Sequence, residues 1–231
     1  MSPVQPIRSL EDEEVRRLSR PVHAALKRSI DVAGALGALL LLSPMLLAAA
    51  VAGRLTMGRP VLFRQERVGR DAERFTLWKL RTMTDERGPD GALRPDAERL
   101  TRLGALLRAT SVDELPELVQ VLRGQLSLVG PRPLLVQYLP LYTPEQARRH
   151  DVRPGITGWA QVNGRNATSW PDRLALDTWY VDHMSLFLDL RILCRTVAQV
   201  FRRADITFEG HATMPVFQGA EEEAASTVPP P

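Results

Sequence analysis

The apolar residues of this chain are concentrated in one place. From Val32 to Gly53, 22 consecutive positions carry no charged side chain, with Asp31 on one side and Arg54 on the other. As a straight helix such a segment is about 33 Å long, enough to cross the hydrocarbon core of a bilayer. Pro44 lies inside it. Proline lacks an N–H and clashes with the preceding turn, so a bend is expected there, with Ser43 able to bond a freed carbonyl. Lys27 and Arg28 precede the segment and Arg54, Arg59, Arg64 and Arg67 follow it, so the positive-inside bias places both ends on the cytoplasmic side. A signal peptide accounts for the small-residue steps Ala48-Val51 and Ala50-Ala52, but not for the 31 residues of mixed charge ahead. A single span predicts unequal flanks, and a soluble core helix is rarely apolar all round over this length. The reading that satisfies flanks and proline together is a helix broken at Ser43 and Pro44 that enters one leaflet and returns. Its arms, Val32 to Ser43 and Met45 to Gly53, are each too short to span.

Beyond it the pattern changes period. Residues 61–69 and 74–83 are rich in β-branched and aromatic side chains around Gly69-Arg70-Asp71, which predicts a hairpin. Residues 84–96 form a polar loop. Helical periodicity runs from Ala97 to Arg108, and a second helix starts near Ser111 to Asp113 and ends at Gly124. Residues 127–133 are turn-rich, and 153–166 alternate glycine with polar donors, as ligand-binding loops do. From Ser185 to Arg203, Leu186, Leu190, Leu193, Val197 and Phe201 recur at helical spacing with arginines on other faces. That basic amphipathic helix either packs on the core or lies on a membrane surface. Residues 1–20 read as a mobile or surface extension and the tail from Gln218 as disordered. The fold class is α+β, a compact domain with a small β-hairpin or sheet and several helices, anchored by the Pro-broken re-entrant helix and amphipathic surface helices. Its boundaries fall at 1–26 for the extension, 27–54 for the membrane helix, 55–210 for the main domain and 211–231 for the C-terminal segment.

Composition narrows the chemistry. At 231 residues, 44% hydrophobic and 25% charged, the chain is neither fibrous nor wholly disordered. A formal charge of +3 suits anionic partners, but with only 6% aromatic residues the stacking platform of a nucleic-acid binder is not indicated. Cys194 is the one cysteine, so no internal disulfide forms, and it reads as a small apolar side chain on a helix face. Four scattered histidines and one cysteine argue against a zinc site, and no P-loop, dinucleotide fingerprint or nucleophile elbow is present.

Asp113 and Glu114 are the acidic candidates. Ser111-x-x-Glu114 has capping-box spacing, so one reading is a helix cap; Pro116 fits better if Asp113 is the cap. The other reading is a carboxylate pair that binds a divalent cation beside fixed positive charge. Lys79, Arg81, Arg108, Arg132, Arg153 and Arg165 lie in or beside the turn-rich motifs and suit a phosphate-rich substrate, although each arginine alone is commonly a solvated surface residue.

The segments KRSIDVAGALGALLLLSP, FRQERVGRDAERFTLWKLRTM, LRATSVDELPELVQVLRGQLSLVGPRP, RPGITGWAQVNGRN and YVDHMSLFLDLRIL, in this order from Lys27 to Arg203, closely resemble the bacterial sugar transferases called monotopic phosphoglycosyl transferases. The resemblance implies transfer of a sugar-1-phosphate from a UDP-sugar to undecaprenyl phosphate at the cytoplasmic face of the inner membrane, with release of UMP. It implies Asp113 as the nucleophile of a covalent phosphosugar intermediate, with Glu114 helping to bind Mg²⁺. It also places Lys79, Arg108, Arg132 and Arg165 at basic positions of the motifs, Gln161 at a polar loop position, Asp189 at the carboxylate of SLFLDL, and Ser43 and Pro44 at the break of the re-entrant helix. About 26 residues precede the core where larger relatives carry several spans and a further domain, which implies a small, minimal type, and Val112 stands where leucine is commoner. FEGHATMPVFQG resembles a segment of small members that use N-acetylated UDP-sugars. Downstream glycosyltransferases are the implied partners, and a non-catalytic membrane scaffold of the same fold is the alternative that retention of Asp113 and Glu114 disfavours.

Overall fold

The computed structural model describes residues 10–163, 169–202 and 216–219. Its first element, α1 (Leu10–Met57), is one long helix. It starts well ahead of the boundary drawn at Lys27, and its helical backbone runs through Pro21, Ser43 and Pro44 without a gap. Pro44 cannot donate to the carbonyl four residues back, that of Leu40. The Ser43 hydroxyl donates to that carbonyl instead, at 3.0 Å.

Both arms of α1 pack on the same domain. Ala35, with Ala38 and Leu39, meets Leu77, Leu118, Val121 and Leu126; Leu46, Ala49 and Ala50 meet Leu80, Leu107 and Val112. Leu40 and Leu41, near the end of the first arm, are 70% and 78% exposed, an apolar surface that water does not accommodate. The polar side chains that precede the apolar run are used internally. Arg28 donates to the Val121 and Leu122 carbonyls at 2.6 and 2.9 Å. Asp31 accepts from Ser127 Oγ and the Leu128 N–H, both at 3.0 Å. Lys27 Nζ reaches Asp189 Oδ2 at 2.6 Å and the Val129 carbonyl at 3.1 Å.

The predicted hairpin forms between β1 (Leu62–Val68) and β2 (Arg74–Leu80), antiparallel, with Leu62 opposite Leu80 and Val68 opposite Arg74. The single helical stretch expected over 97–108 is instead two helices, α2 (Asp96–Arg99) and α3 (Arg102–Ala109). Thr101 divides them: its hydroxyl caps α3 by accepting from the Gly104 N–H at 2.9 Å. Gly104 is needed there because a Cβ would sit 1.9 Å from the Thr82 carbonyl oxygen. After α4 (Glu117–Leu122) comes β3 (Ser127–Val129), then the short α5 (Pro144–Ala147) and β4 (Gly155–Thr157), which pairs parallel with β3. Helices α6 (Trp159–Asn163), α7 (Trp170–His183) and α8 (Leu186–Arg202) follow.

Helix α8 packs on the core, though not along the expected stripe, and leaves other apolar side chains exposed. Leu188 and Ile192 are buried with Val129 and Tyr180, whereas Phe187, Leu190 and Val197 are exposed, as is Cys194. Cys194 thus lies on a helix face as expected, and that face is an exposed one. Phe217, just ahead of the expected tail, is fully buried among Tyr138, Trp170 and Leu174, and within the first residues of that tail Gly219 is buried. The rest of the expected tail and FEGHATMP lie outside the described residues.

Candidate active site

The chain between α3 and α4 turns sharply to deliver two carboxylates. Ser111 adopts a left-handed backbone (φ 57°), a costly conformation for a residue with a Cβ and one that clusters at functional sites. A 3-10 turn, Val112–Glu114, follows, and α4 begins after Pro116. The capping reading therefore fails. Ser111 makes no side-chain cap, Pro116 holds the N-cap position of α4, and the Glu114 carboxylate points at cations instead.

Helix α4 is locked to β2 by a side chain that behaves like a strand neighbour. Gln120 accepts from the Trp78 N–H at 2.9 Å and donates to the Thr76 carbonyl at 2.7 Å, satisfying backbone groups of an open strand edge. Lys79, next along β2, is thereby held beside the turn. Its Nζ lies 2.5 Å from Glu114 Oε1 and 3.4 Å from Glu117 Oε1. Arg132, from the loop after β3, donates to the same Glu114 oxygen at 2.6 Å.

The two neighbouring carboxylates sit in opposite electrostatic environments. Burial alone pushes Glu114 up, but Arg132 and Lys79 outweigh it and hold this carboxyl well below the usual range. Asp113, also buried, makes no hydrogen bond among the described residues; burial and then the Glu114 charge push it up to about 6, against the pull of Lys79, Arg132 and Arg108. Glu117, which the sequence reading missed, is pushed up to about 7 by burial, and its Oε1 has no hydrogen-bond partner. The one available signal was spacing: three residues after Glu114, it falls on the same helical face. Arg67 was missed as well. It faces this cluster from β1, and burial followed by Arg132 lowers it to about 10. An alternation argument links it to Lys79, since Arg67 pairs with Phe75 and Lys79 with Phe63 on one face of the hairpin.

Of the residues marked in the sequence, Asp113, Glu114, Lys79, Arg108 and Arg132 converge. Arg108 is steadied by Thr82 Oγ1 at 3.0 Å from its Nε. Three others are engaged elsewhere. Arg81 clamps the end of α1, bonding the Met57 and Arg59 carbonyls and Asp85. Arg153 donates to the Gly124 carbonyl at 2.9 Å beyond the C-terminus of α4, where a cation is favourable. Asp189, 7% exposed, is held by Lys27 and by Tyr180 Oη at 2.6 Å, which ties α1, α7 and α8 together. Gln161 donates to the Ile156 carbonyl at 3.0 Å and leaves Oε1 buried and unpartnered. Arg165 lies outside the described residues.

Among the described residues no three His, Cys, Asp or Glu side chains converge as a metal cage. Two adjacent carboxylates, one with no partner and the other with both cations on a single oxygen, do fit a Mg²⁺ ion of the kind completed by phosphate oxygens and water.

The family model described as bacterial sugar transferase matches residues 22–203. The chain is 54% identical over 195 residues to "Uncharacterized sugar transferase EpsL" of Bacillus subtilis, covering 84% of this chain and 96% of that one. It is 47% identical over 182 residues to the UDP-glucose:undecaprenyl-phosphate glucose-1-phosphate transferase of Caulobacter vibrioides, covering 74% and 68%. With the Escherichia coli protein of the same name it shares 39% over 191 residues, covering 78% of this chain and 41% of that longer one. With its matched region running from within α1 to the end of α8, and the buried carboxylates and their cations inside it, this chain belongs to the bacterial sugar transferase family.

Proposed function

We propose that the protein transfers a sugar-1-phosphate from a UDP-sugar to undecaprenyl phosphate, with Asp113 as the nucleophile. The observation that carries this reading is the pairing of a buried, unpartnered Asp113 with Glu114, Lys79, Arg108 and Arg132. A carboxylate free of hydrogen bonds is available for attack, and one that ionises near 6 is charged at neutral pH. An Asp113 oxygen bonds to the sugar-bearing phosphorus while the bond from that phosphorus to the bridging oxygen breaks, and the oxygen leaves with UMP. The lipid phosphate oxygen then attacks the same phosphorus, forming the diphosphate and releasing the Asp113 carboxylate. Two in-line displacements at one residue let a soluble donor and a lipid acceptor use one site in turn. Lys79, Arg132, Arg108 and Arg67 offset the charge on the non-bridging oxygens. Asp113 and Glu114 would hold Mg²⁺, which when bound supplies further neutralisation of the phosphates.

The reading includes a re-entrant α1 at the cytoplasmic leaflet. In its support, both arms pack on one domain, and Leu115 packs against both clusters, although Ala35 and Ala49 would be about 21 Å apart in a straight helix. The exposed Leu40, Leu41 and Leu47, with Leu106 of α3 and Phe187, Leu190 and Val197 of α8, supply apolar surface for lipid.

The test is UMP release across a panel of UDP-sugars, N-acetylated ones included, with and without polyprenyl phosphate. A burst of UMP without the lipid and its loss in Asp113→Asn are expected. Turnover undiminished in Asp113→Asn overturns the assignment.

A further inference from the structure

Behind Arg132 lies a buried ion pair that takes no part in the chemistry above. Arg149, 2% exposed, donates from Nη2 and Nε to Asp177 Oδ2 at 2.7 and 3.2 Å. From the same Nη2 it donates to the backbone carbonyl of Arg132 at 2.7 Å. Tyr142 Oη lies 3.4 Å from Nη1. Asp177 is on α7 and equally buried, so the guanidinium joins a rigid helix to the loop that carries Arg132. A buried pair contributes little to stability compared with apolar residues of equal volume. Its specific product here is the placement of one carbonyl.

We infer that Arg149, held by Asp177, is a positioning residue that fixes the Arg132 backbone so that its side chain meets Glu114 and the transferring phosphate. The inference rests on the transferase reading above. A planar guanidinium serves carboxylate and carbonyl together; a lysine ammonium keeps the charge but not the fork. Misplacement of a charge-stabilising group by about 1 Å can lower turnover about 100-fold.

The experiment is a double-mutant cycle. Arg149→Met with Asp177→Leu removes both charges together and avoids stranding one; thermal unfolding checks that it folds, and Arg149→Lys is measured beside it. Each is combined with Arg132→Ala, and kcat and KM for UMP release are determined. In the Arg132 background about a tenfold or greater fall in kcat is expected, and in the Arg132→Ala background almost none. An equal fall in both backgrounds, as a general structural role would give, overturns the inference, as does full kcat in a folded variant. Transfer by the unmodified chain is measured first; its absence counts against the transferase reading, whereas absence of coupling with transfer intact counts against Arg149.

Discussion

Asp113→Asn should make the protein more stable while removing its activity. Asp113 is 8% exposed, and burial, then Glu114, lift its carboxyl from 3.8 to about 6. At about 1.4 kcal/mol per unit, holding it ionised costs the folded state about 3 kcal/mol. The sign follows from which state ionises first. Below about pH 3.8 the group is neutral folded or unfolded, so aspartate and asparagine are equivalent. As pH rises the unfolded chain ionises first, and the wild type loses stability until the folded group ionises near 6. The advantage of the asparagine variant therefore opens from about pH 4 and is complete above about 6. For a chain of this size about 3 kcal/mol corresponds to roughly 6–12 °C in Tm. Thermal unfolding of both proteins in the same detergent from pH 4 to 8 measures it, with UMP release on the same samples. A variant no more stable than wild type at pH 7.5, or a gap of the same size at pH 4, refutes the electrostatic reasoning.

Because Asp113 must be ionised to attack, kcat/KM should fall about tenfold per unit below pH 6; Lys79→Met, which removes a cation that lowers Asp113, should move that limb to higher pH. Glu117→Gln should gain stability over wild type in a later window, opening above about 4.5 and complete above about 7, because burial raises Glu117 to about 7; denaturant titration at pH 5 and 8 separates the two. Gln120→Ala removes both bonds to the edge of β2 and should cost about 2–4 kcal/mol, read by the same titration. With Cys194→Ser as background, cysteines at His23 and Gly58, on either side of the apolar run, should both resist an impermeant reagent in right-side-out vesicles; labelling of one alone indicates a single span.

Much of the site was readable because local chemistry and periodicity sufficed. Asp113-Glu114 stood out as adjacent carboxylates among basic motifs, and the hairpin carrying Lys79 followed from its residue types and turn. What could not be read was how each polar side chain is used. Arg81, Arg153 and Asp189 have the same chemistry as the residues that gather around Glu114, yet each bonds a partner far along the chain: Met57, Gly124 and Lys27. Glu117 has no local signal beyond its spacing from Glu114, and Arg67 enters the sequence pattern only as a basic flank of the apolar run; the packing of β1, β2 and α4 brings them to the cluster.

The sequence by itself determined the apolar helix with its proline, the hairpin, and the pair Asp113-Glu114, since each depends on neighbours within a few residues. Only the tertiary structure decided that Ser111 does not cap, that Glu114 faces Lys79 and Arg132, and that Asp113 is left without a partner. Those outcomes depend on burial and on charges brought from distant segments, which local patterns do not encode.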